Sequence, residues 1–218
     1  MTEMQQNIIL VDKPSGITSF DVIRRLRKEI GVWKMGHAGT LDPLASGLMI
    51  IGVGEGTKTL TELVKLPKVY VAEILLGVRT NSGDTQGEVL ERVAVAMPAR
   101  EQIEKVLGEI VGEGTLHLAV PIFSAIKRNG KKLYELAREG KTAEDIQPPV
   151  KEMKVTSTAF VSLAADRPAF TVELAVSSGT YVRSLAEEIG RRLGMPATMS
   201  ALRRTKVGDF RVEDARKV

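Results

Sequence analysis

The chain has 218 residues, of which 43% are hydrophobic, so it can bury one good core and is most simply one domain. It contains no cysteine, which excludes disulfides and thiolate chemistry, and its 31 basic against 27 acidic residues give a mild preference for polyanions. No apolar run approaches the roughly 20 residues that a membrane span needs, and residues 1–7 lack the layout of a signal peptide. We therefore expect a cytoplasmic protein without a membrane partner.

Apolar periodicity predicts a chain of mixed α and β structure. In chain order, strands are expected at residues 7–12, 48–53, 69–76 and 169–177, and helices at residues 19–30, 57–66, 100–111 and 181–193. Pro67 should end the second of these helices, and Gly112 lies beyond the expected end of the third. Because strands and helices do not alternate regularly, the pattern favours an α+β fold with a mixed, mostly antiparallel sheet over a doubly wound fold.

Residues 36–47, Gly-His-Ala-Gly-Thr-Leu-Asp-Pro-Leu-Ala-Ser-Gly, are the most informative segment. The glycines and the proline break both helical and strand patterns, so we predict an ordered loop that holds Asp42 and His37 in fixed places. A carboxylate on such a loop is a candidate catalytic group. The alternative is a simple turn in which Asp42 bonds to its own backbone ahead of Pro43.

Familiar cofactor and nucleophile signatures do not fit this sequence. Residues 52–59 resemble a phosphate cradle, but Thr57 stands where a P-loop needs glycine, so we expect only a tight turn. The two histidines, His37 and His117, are far apart, and no thiols exist to complete a zinc site. There is no G-x-S-x-G elbow for a nucleophilic serine. We expect no nucleotide cofactor and no metal, although a magnesium site made of carboxylates alone stays open.

Six further segments accompany residues 36–47. They are D-K-P-S-G-I-T-S (12–19), K-V-Y (68–70), G-V-R-T-N-S-G-D-T-Q-G (77–87), P-I-F-S-A-I-K (121–127), S-G-T-Y-V-R-S-L (178–185) and L-R-R-T (202–205). In this order they resemble the tRNA pseudouridine-55 synthases, the TruB family, which is related to dyskerin-type synthases. The resemblance covers nearly the whole chain and implies a pseudouridine synthase fold, with helices around a long bent sheet. Ile122 and Asn81 depart from the family pattern, which usually has proline and aspartate there.

The resemblance implies that the protein isomerises the uridine at position 55, in the T-loop of tRNA, to pseudouridine. This reaction requires no redox group or carrier. Asp42 would be an ionised nucleophile or a base, two routes between which the sequence does not choose. Arg183 would keep that carboxylate charged through paired hydrogen bonds, and Tyr70 would stack on the uracil and assist loss of the C5 proton. Without the motifs, Arg183 would be a solvent-facing helix residue and Tyr70 a packing residue.

The family pattern also assigns residues around the target nucleotide. A uridine in a folded RNA loop must be extruded, and His37 is expected to stack beneath the flipped nucleotide and not to transfer protons. Tyr181 and Leu202 are expected to line the uridine pocket, although plain core packing is an alternative for Leu202. Lys13 and Pro14 match a motif that supports the active-site loop.

Basic residues outside the pocket are expected to hold the RNA. Residues 124–152 correspond to a family insertion that closes over the RNA loop. The candidate phosphate contacts are Lys127, Arg128, Lys131, Lys132, Arg203 and Arg204. The alternative for each is a solvated charge on the protein surface.

We expect residues 1–218 to form one catalytic domain that acts as a monomer on the T-arm. It would lack the small RNA-binding PUA domain that many bacterial members carry after this part. The alternative function is a non-catalytic module that binds or folds tRNA. The presence of Asp42, Tyr70 and Arg183 together favours the enzyme, because a pure binder does not require this set.

Overall fold

The computed structural model describes residues 7–218, so residues 1–6, on which most of the signal-peptide expectation rests, lie outside it. The described chain forms two compact units, one made of residues 7–71 and 201–218 and the other of residues 72–200. Two long strands, β4 (Lys68–Leu76) and β12 (Ala197–Val207), contribute residues to both units.

The first unit combines short strands with one long helix. Its elements are β1 (Ile8–Lys13), α1 (Ser19–Ile30), β2 (Met35–His37), β3 (Ser46–Val53), a 3-10 helix (Gly54–Thr59), α2 (Leu60–Leu63), β13 (Phe210–Arg211), a second 3-10 helix (Val212–Asp214) and β14 (Arg216–Lys217). A core of Ala38, Leu48, Ile50, Val207 and Val212 is buried in this unit.

The second unit contains the longest strand and two long helices. Its elements are β5 (Val78–Thr80), β6 (Val89–Arg92), α3 (Arg100–Glu113), β7 (Thr115–Ala119), β8 (Lys127–Arg128), β9 (Lys131–Lys132), α4 (Leu133–Arg138), α5 (Ala143–Ile146), β10 (Val150–Leu163), β11 (Ala169–Val176) and α6 (Val182–Arg192). One of its buried clusters consists of Val120, Ile122, Leu133, Ile146 and Met153.

Ten strands are hydrogen-bonded in a mixed sheet. Among the strands with residues in the first unit, the order is β14-β1-β3-β12-β4. Among the strands with residues in the second unit, the order is β12-β4-β11-β10-β7, and β4 and β12 appear in both because each has residues in both units. The β1–β3, β10–β11 and β7–β10 pairs are antiparallel, whereas β3–β12 and β1–β14 are parallel. This confirms the α+β class and the mixed, mostly antiparallel sheet.

Helix α1 has the bounds that periodicity predicts, and both of its ends are capped. The Thr18 hydroxyl accepts a hydrogen bond from the Asp21 amide at 3.1 Å, and the Asp21 carboxylate accepts one from the Thr18 amide at 2.8 Å. Gly31 ends the helix in the left-handed region, with φ of 74°. Val22 and Leu26 are fully buried on one face, so this helix is fixed to the core of the first unit.

Two other helices differ from the sequence prediction. Residues 57–66 do not form one helix, because the 3-10 helix Gly54–Thr59 precedes the four-residue α2. The backbone at Gly56 packs so closely that an added Cβ would lie 2.1 Å from the Asn7 carbonyl oxygen, so a side chain does not fit at this point of the 3-10 helix. Helix α3 continues through Gly112 and ends at Gly114, where φ is 68°.

Gly47 is a point of close approach between β3 and its neighbours. It pairs with Lys13 in β1 and with Arg204 in β12. Its φ is 105°, and an added Cβ would lie 2.3 Å from the Arg204 carbonyl oxygen. Only glycine fits here, because any side chain would both strain this φ and collide with β12.

We expect Gly47→Ala to lower the free energy of unfolding by about 3–5 kcal/mol, because the β3–β12 pairing must open to admit the methyl group. The control is Gly54→Ala, at a residue that also has positive φ (55°) but no heavy atom within 4 Å of the added Cβ. That control should cost about 1 kcal/mol. Urea unfolding followed by circular dichroism measures both, and equal losses would contradict the close approach as the main constraint.

Candidate active site

The Asp42 loop, residues 38–45, connects β2 to β3 in the first unit. His37 is the last residue of β2 and not part of the loop itself, which corrects the sequence prediction. Helix α1 holds the loop just before Asp42, because the Ser19 hydroxyl accepts from the Leu41 amide at 2.8 Å and donates to the Leu41 carbonyl at 2.9 Å. Ser19 and Leu41 are both buried, so this two-way contact is shielded from water.

The segment between β1 and α1 holds the loop just after Asp42. The Gly16 amide donates to the Pro43 carbonyl at 2.8 Å, and the Ser15 hydroxyl donates to the Leu44 carbonyl at 2.7 Å. Asp42 is therefore fixed on both sides by hydrogen bonds from residues more than 20 positions away in the chain. Asp42 itself is only half-buried.

Lys13, the last residue of β1, is fully buried and contacts the backbone on both sides of this connection. Its ammonium group donates to the Ile17 carbonyl at 2.7 Å and the Pro14 carbonyl at 3.0 Å, and it also reaches the Pro43 carbonyl at 3.5 Å. Burial lowers the pKa of Lys13 to about 8, while the negative charge of Asp42 acts in the opposite direction. These contacts support the predicted role of Lys13 and Pro14 in shaping the loop.

His37 is half-buried, and its environment favours the neutral imidazole. Burial, and then the positive charge of Arg204, lower the pKa of His37 below its ordinary value. Its Nδ1 atom is buried and has no hydrogen-bond partner within residues 7–218. A neutral ring with a buried edge is suited to stacking, because stacking depends on the ring face and not on charge.

Arg204 is a structural residue, contrary to the expectation that it contacts RNA phosphates. It is only 1% exposed. Its guanidinium donates to the Leu48 carbonyl at 2.7 Å and to the Gly39 carbonyl at 3.1 Å, so it connects β12 with β3 and the Asp42 loop. Arg203 points elsewhere: its side chain is 41% exposed and forms two hydrogen bonds with Asp12, at 2.8 and 3.0 Å.

Tyr70 and Leu202, both predicted to line the pocket, are each 9% exposed in the first unit. Tyr70 lies on β4, two residues after Lys68, for which the sequence motif predicted no separate role. Lys68 is buried and donates to the Val64 and Leu66 carbonyls at 2.5 and 2.6 Å. Burial, together with the charge of Arg204, lowers the pKa of Lys68 to about 8. The only sequence signal for it was a lysine in an apolar strand.

Arg183 lies in the first turn of α6 in the second unit and is 5% exposed. Its guanidinium donates to the Ser82 carbonyl at 2.8 Å and the Phe123 carbonyl at 3.0 Å, and its Nε atom is 3.9 Å from the Asp84 carboxylate. The solvent-facing alternative for Arg183 is therefore wrong. Asp84 was also missed as a partner, although the Ser-Gly-Asp sequence at 82–84 indicates a turn.

Within residues 124–152, the basic side chains differ in what they contact. Arg128 donates to the carbonyls of Ile146 and Gln147, and Lys131 pairs with Glu139 at 2.9 Å. The Lys132 ammonium lies 5.4 Å from the centre of the Tyr134 ring, and Lys127 is exposed. Tyr181 is half-buried and packs against the buried cluster of this unit. Lys127 and Lys132 are thus better placed for phosphates than Arg128.

Within residues 7–218, no group of three or more histidine, aspartate or glutamate side chains is arranged as a metal site. None of the helices in that part of the chain combines the length and the apolar content needed to cross a membrane.

Comparisons with known proteins identify the family. A sequence model of the TruB family pseudouridylate synthase N-terminal domain matches residues 27–182, and a model of the tRNA pseudouridylate synthase B C-terminal domain matches residues 183–218. Two relatives named tRNA pseudouridine synthase B are each 41% identical. The match to the Lactobacillus delbrueckii subsp. bulgaricus protein covers 97% of this chain and 72% of that relative. The match to the Endomicrobium trichonymphae protein covers 99% of this chain and 92% of that relative.

Solved structures show the same fold. A chain in the crystal structure of a Cbf5-Nop10-Gar1 complex is 27% identical, with a TM-score of 0.74. The match covers 99% of the present chain and 53% of the solved chain. A chain in the structure of an H/ACA RNP bound to a substrate RNA containing 2′-deoxyuridine is 25% identical, with a TM-score of 0.70. This match covers 98% of the present chain and 51% of the solved chain. The chain spans about half the length of these two solved chains. Because the family model alone matches residues 27–182, well over half of the sequence, the chain belongs to the TruB family of pseudouridylate synthases.

Proposed function

We propose that the protein converts the uridine at position 55, in the T-loop of tRNA, to pseudouridine, with Asp42 as the catalytic carboxylate. The observation that carries this proposal is the fixation of Asp42 on both sides, by Ser19 at Leu41 and by Gly16 at Pro43, with its residue left half-buried. A merely structural aspartate in a turn does not require such support. Membership of the TruB family supplies the reaction class.

The reaction is an isomerisation, so substrate and product have the same composition. The N1–C1′ bond breaks, the uracil turns, a C5–C1′ bond forms, C5 loses its proton, and N1 gains one, so the composition is unchanged. Asp42 acts either as the nucleophile at the substrate or as the base that removes a proton. Both routes need a carboxylate whose position is fixed before the substrate arrives, because misplacement of a reacting group costs rate.

His37 and Tyr70 are proposed to hold the extruded uridine. A base taken out of an RNA loop loses its stacking partners at a cost of a few kcal/mol, and a planar ring that stacks in its place offsets part of this cost. Burial, and then the positive charge of Arg204, lower the pKa of His37, and the neutral ring that this favours is suited to stacking on a base. Tyr70 would contact the uracil, with Tyr181 and Leu202 lining the pocket.

Arg183 is proposed to keep the Asp42 carboxylate ionised, as the family pattern implies. The support from the second unit is that two carbonyls, of Ser82 and Phe123, orient its guanidinium. An arginine oriented in advance loses little rotamer freedom when it forms paired hydrogen bonds. We further propose that the protein acts as a monomer in the cytoplasm, without a nucleotide cofactor, and that residues 124–152 contact the T-arm.

The proposed function is tested by incubating the protein with unmodified tRNA and reading pseudouridine at each position by carbodiimide labelling. We expect product at position 55 and none in a tRNA that carries cytidine there. Binding without any product would instead favour the non-catalytic tRNA-binding module.

We expect Asp42→Asn to fold and bind tRNA but to form no detectable pseudouridine, because an amide is neither a nucleophile nor a base of comparable strength. The control is Asp166→Asn, the same change at an exposed residue, which should leave the rate unchanged. Turnover of Asp42→Asn near the parent rate would remove Asp42 from the mechanism.

Arg183→Lys keeps the charge but cannot make the same set of hydrogen bonds, so we expect kcat to fall by about a hundredfold with a smaller change in KM. Arg216→Lys, at an exposed arginine that pairs with Glu29, is the control and should leave both constants unchanged. A fall in RNA affinity with unchanged kcat would show that Arg183 is a phosphate contact.

We expect replacement of Lys127 and Lys132 together by Gln to lower the slope of log K against log salt by about 0.7 for each phosphate of single-stranded RNA that is no longer neutralised. The rate at saturating tRNA should change little, because these residues would position phosphates and not act on uracil. The matched control replaces two exposed lysines of the same unit, Lys105 and Lys154. A slope equal to the parent value would mean that Lys127 and Lys132 do not contact RNA phosphates.

A further inference from the structure

The outer face of α1 and the turn after it carry two exposed aromatic side chains. Trp33 is 77% exposed and Phe20 is 54% exposed, and Trp33 is the single tryptophan of the chain. Exposed tryptophan is unusual in a folded protein, since its large ring is mostly buried on average. We define the α1 surface as Phe20, Arg24, Arg27, Lys28 and Trp33. None of these residues belongs to the predicted active site.

Helical spacing arranges the α1 surface. Phe20, Arg24 and Arg27 occupy positions i, i+4 and i+7, so their side chains lie along one face of α1. Gly31 then turns the chain in the left-handed region, and Trp33 comes back against the end of the helix. The Arg27 guanidinium lies 5.7 Å from the centre of the Phe20 ring and 6.0 Å from that of Trp33, so it stands between two aromatic rings.

This surface retains uncompensated positive charge. Neither Arg27 nor Lys28 forms an ion pair within residues 7–218, and the Arg27 Nε atom is buried without a hydrogen-bond partner there. Arg24, in contrast, is paired with Asp21. Arg27 and Lys28, which lack an ion-pair partner in that part of the chain, can contact phosphates, and the exposed indole of Trp33 next to them can stack on a base. Basic groups combined with exposed aromatic rings are what bind single-stranded nucleic acid.

We propose that the α1 surface binds an unpaired nucleotide of the tRNA substrate, whose base stacks on Trp33 and whose phosphates contact Arg27 and Lys28. This inference rests on the proposed function for the identity of the RNA. Charge complementarity favours RNA over a protein partner, because arginine side chains separate the two aromatic rings and leave no continuous apolar strip for a helix or strand to cover.

The α1 surface is joined to the Asp42 loop through the same helix. Ser19, the first residue of α1, is the residue that bonds to Leu41, and Trp33 precedes His37 by four positions. A nucleotide held on this surface therefore restrains the elements that carry the loop. It does not touch the reacting atoms, so its effect should appear in binding and not in the chemical step.

The single tryptophan makes the test direct, because intrinsic fluorescence at tryptophan wavelengths reports on Trp33 alone. Unmodified tRNA is titrated into the full chain, and we expect a saturable fall in this fluorescence together with protection from acrylamide quenching. Both should follow the affinity measured independently by filter binding.

Variants at Trp33 separate stacking from a structural role. We expect Trp33→Ala to weaken tRNA binding by about tenfold, as loss of one stacked base does, and to raise KM with kcat unchanged. Trp33→Phe should restore most of the affinity, because phenylalanine also presents an aromatic face. The control is Phe160→Ala, which removes a ring that Arg100 covers at 4.9 Å in the second unit and should not change binding.

The outcomes distinguish this inference from the proposed function. Pseudouridine formation with unchanged Trp33 fluorescence and parent affinity in Trp33→Ala would overturn the α1 surface and leave the proposed function intact. A saturable fluorescence change without any pseudouridine would support the α1 surface and contradict the proposed function. A dimer in sedimentation equilibrium that Trp33→Ala dissociates would show that another copy of the chain occupies this surface, which also overturns the inference.

Discussion

The hydrogen bonds that hold residues 41–44 are the constraint on which the candidate site depends. Ser19 secures Leu41, and Gly16 and Ser15 secure Pro43 and Leu44. These residues come from the segment between β1 and α1 and from the first residue of α1, so the rigidity of the loop depends on the packing of those two elements. Val22 and Leu26 supply that packing by burying one face of α1. Fold stability and the position of the Asp42 carboxylate are therefore linked in the first unit.

Three buried cations of the first unit bind backbone carbonyls instead of carboxylates, and two of them, Lys13 and Arg204, reach the Asp42 loop. Lys13, Lys68 and Arg204 each donate to at least two carbonyl groups. Their combined charge affects titration nearby: Arg204 lowers the pKa of Lys13, Lys68 and His37, in each case after the larger effect of burial. A site of this kind favours an anion such as the Asp42 carboxylate or an RNA phosphate, because bringing a negative charge into it relieves repulsion among the cations.

Sequence periodicity located most of the regular structure but not all of it. α1 was correct to the residue because its capping box and its apolar face agree. The long strands β10 and β12 were not predicted. β10 exposes most of its side chains and contains irregularities in its pairing with β11, so its sequence carries no clean alternation. Gly112 was expected beyond the end of α3, but nothing packs near it and the helix passes through it.

The sequence by itself determined the family, the reaction class that the family implies, and the candidacy of Asp42, because these depend on residue types in a fixed order along the chain. Only the tertiary structure decided what the arginines and lysines do. Arg204 and Arg203 are neighbours with the same side chain, yet one is 1% exposed inside the first unit and the other forms a half-exposed pair with Asp12. Successive residues of a strand face opposite sides of the sheet, and which side is buried depends on the neighbouring elements.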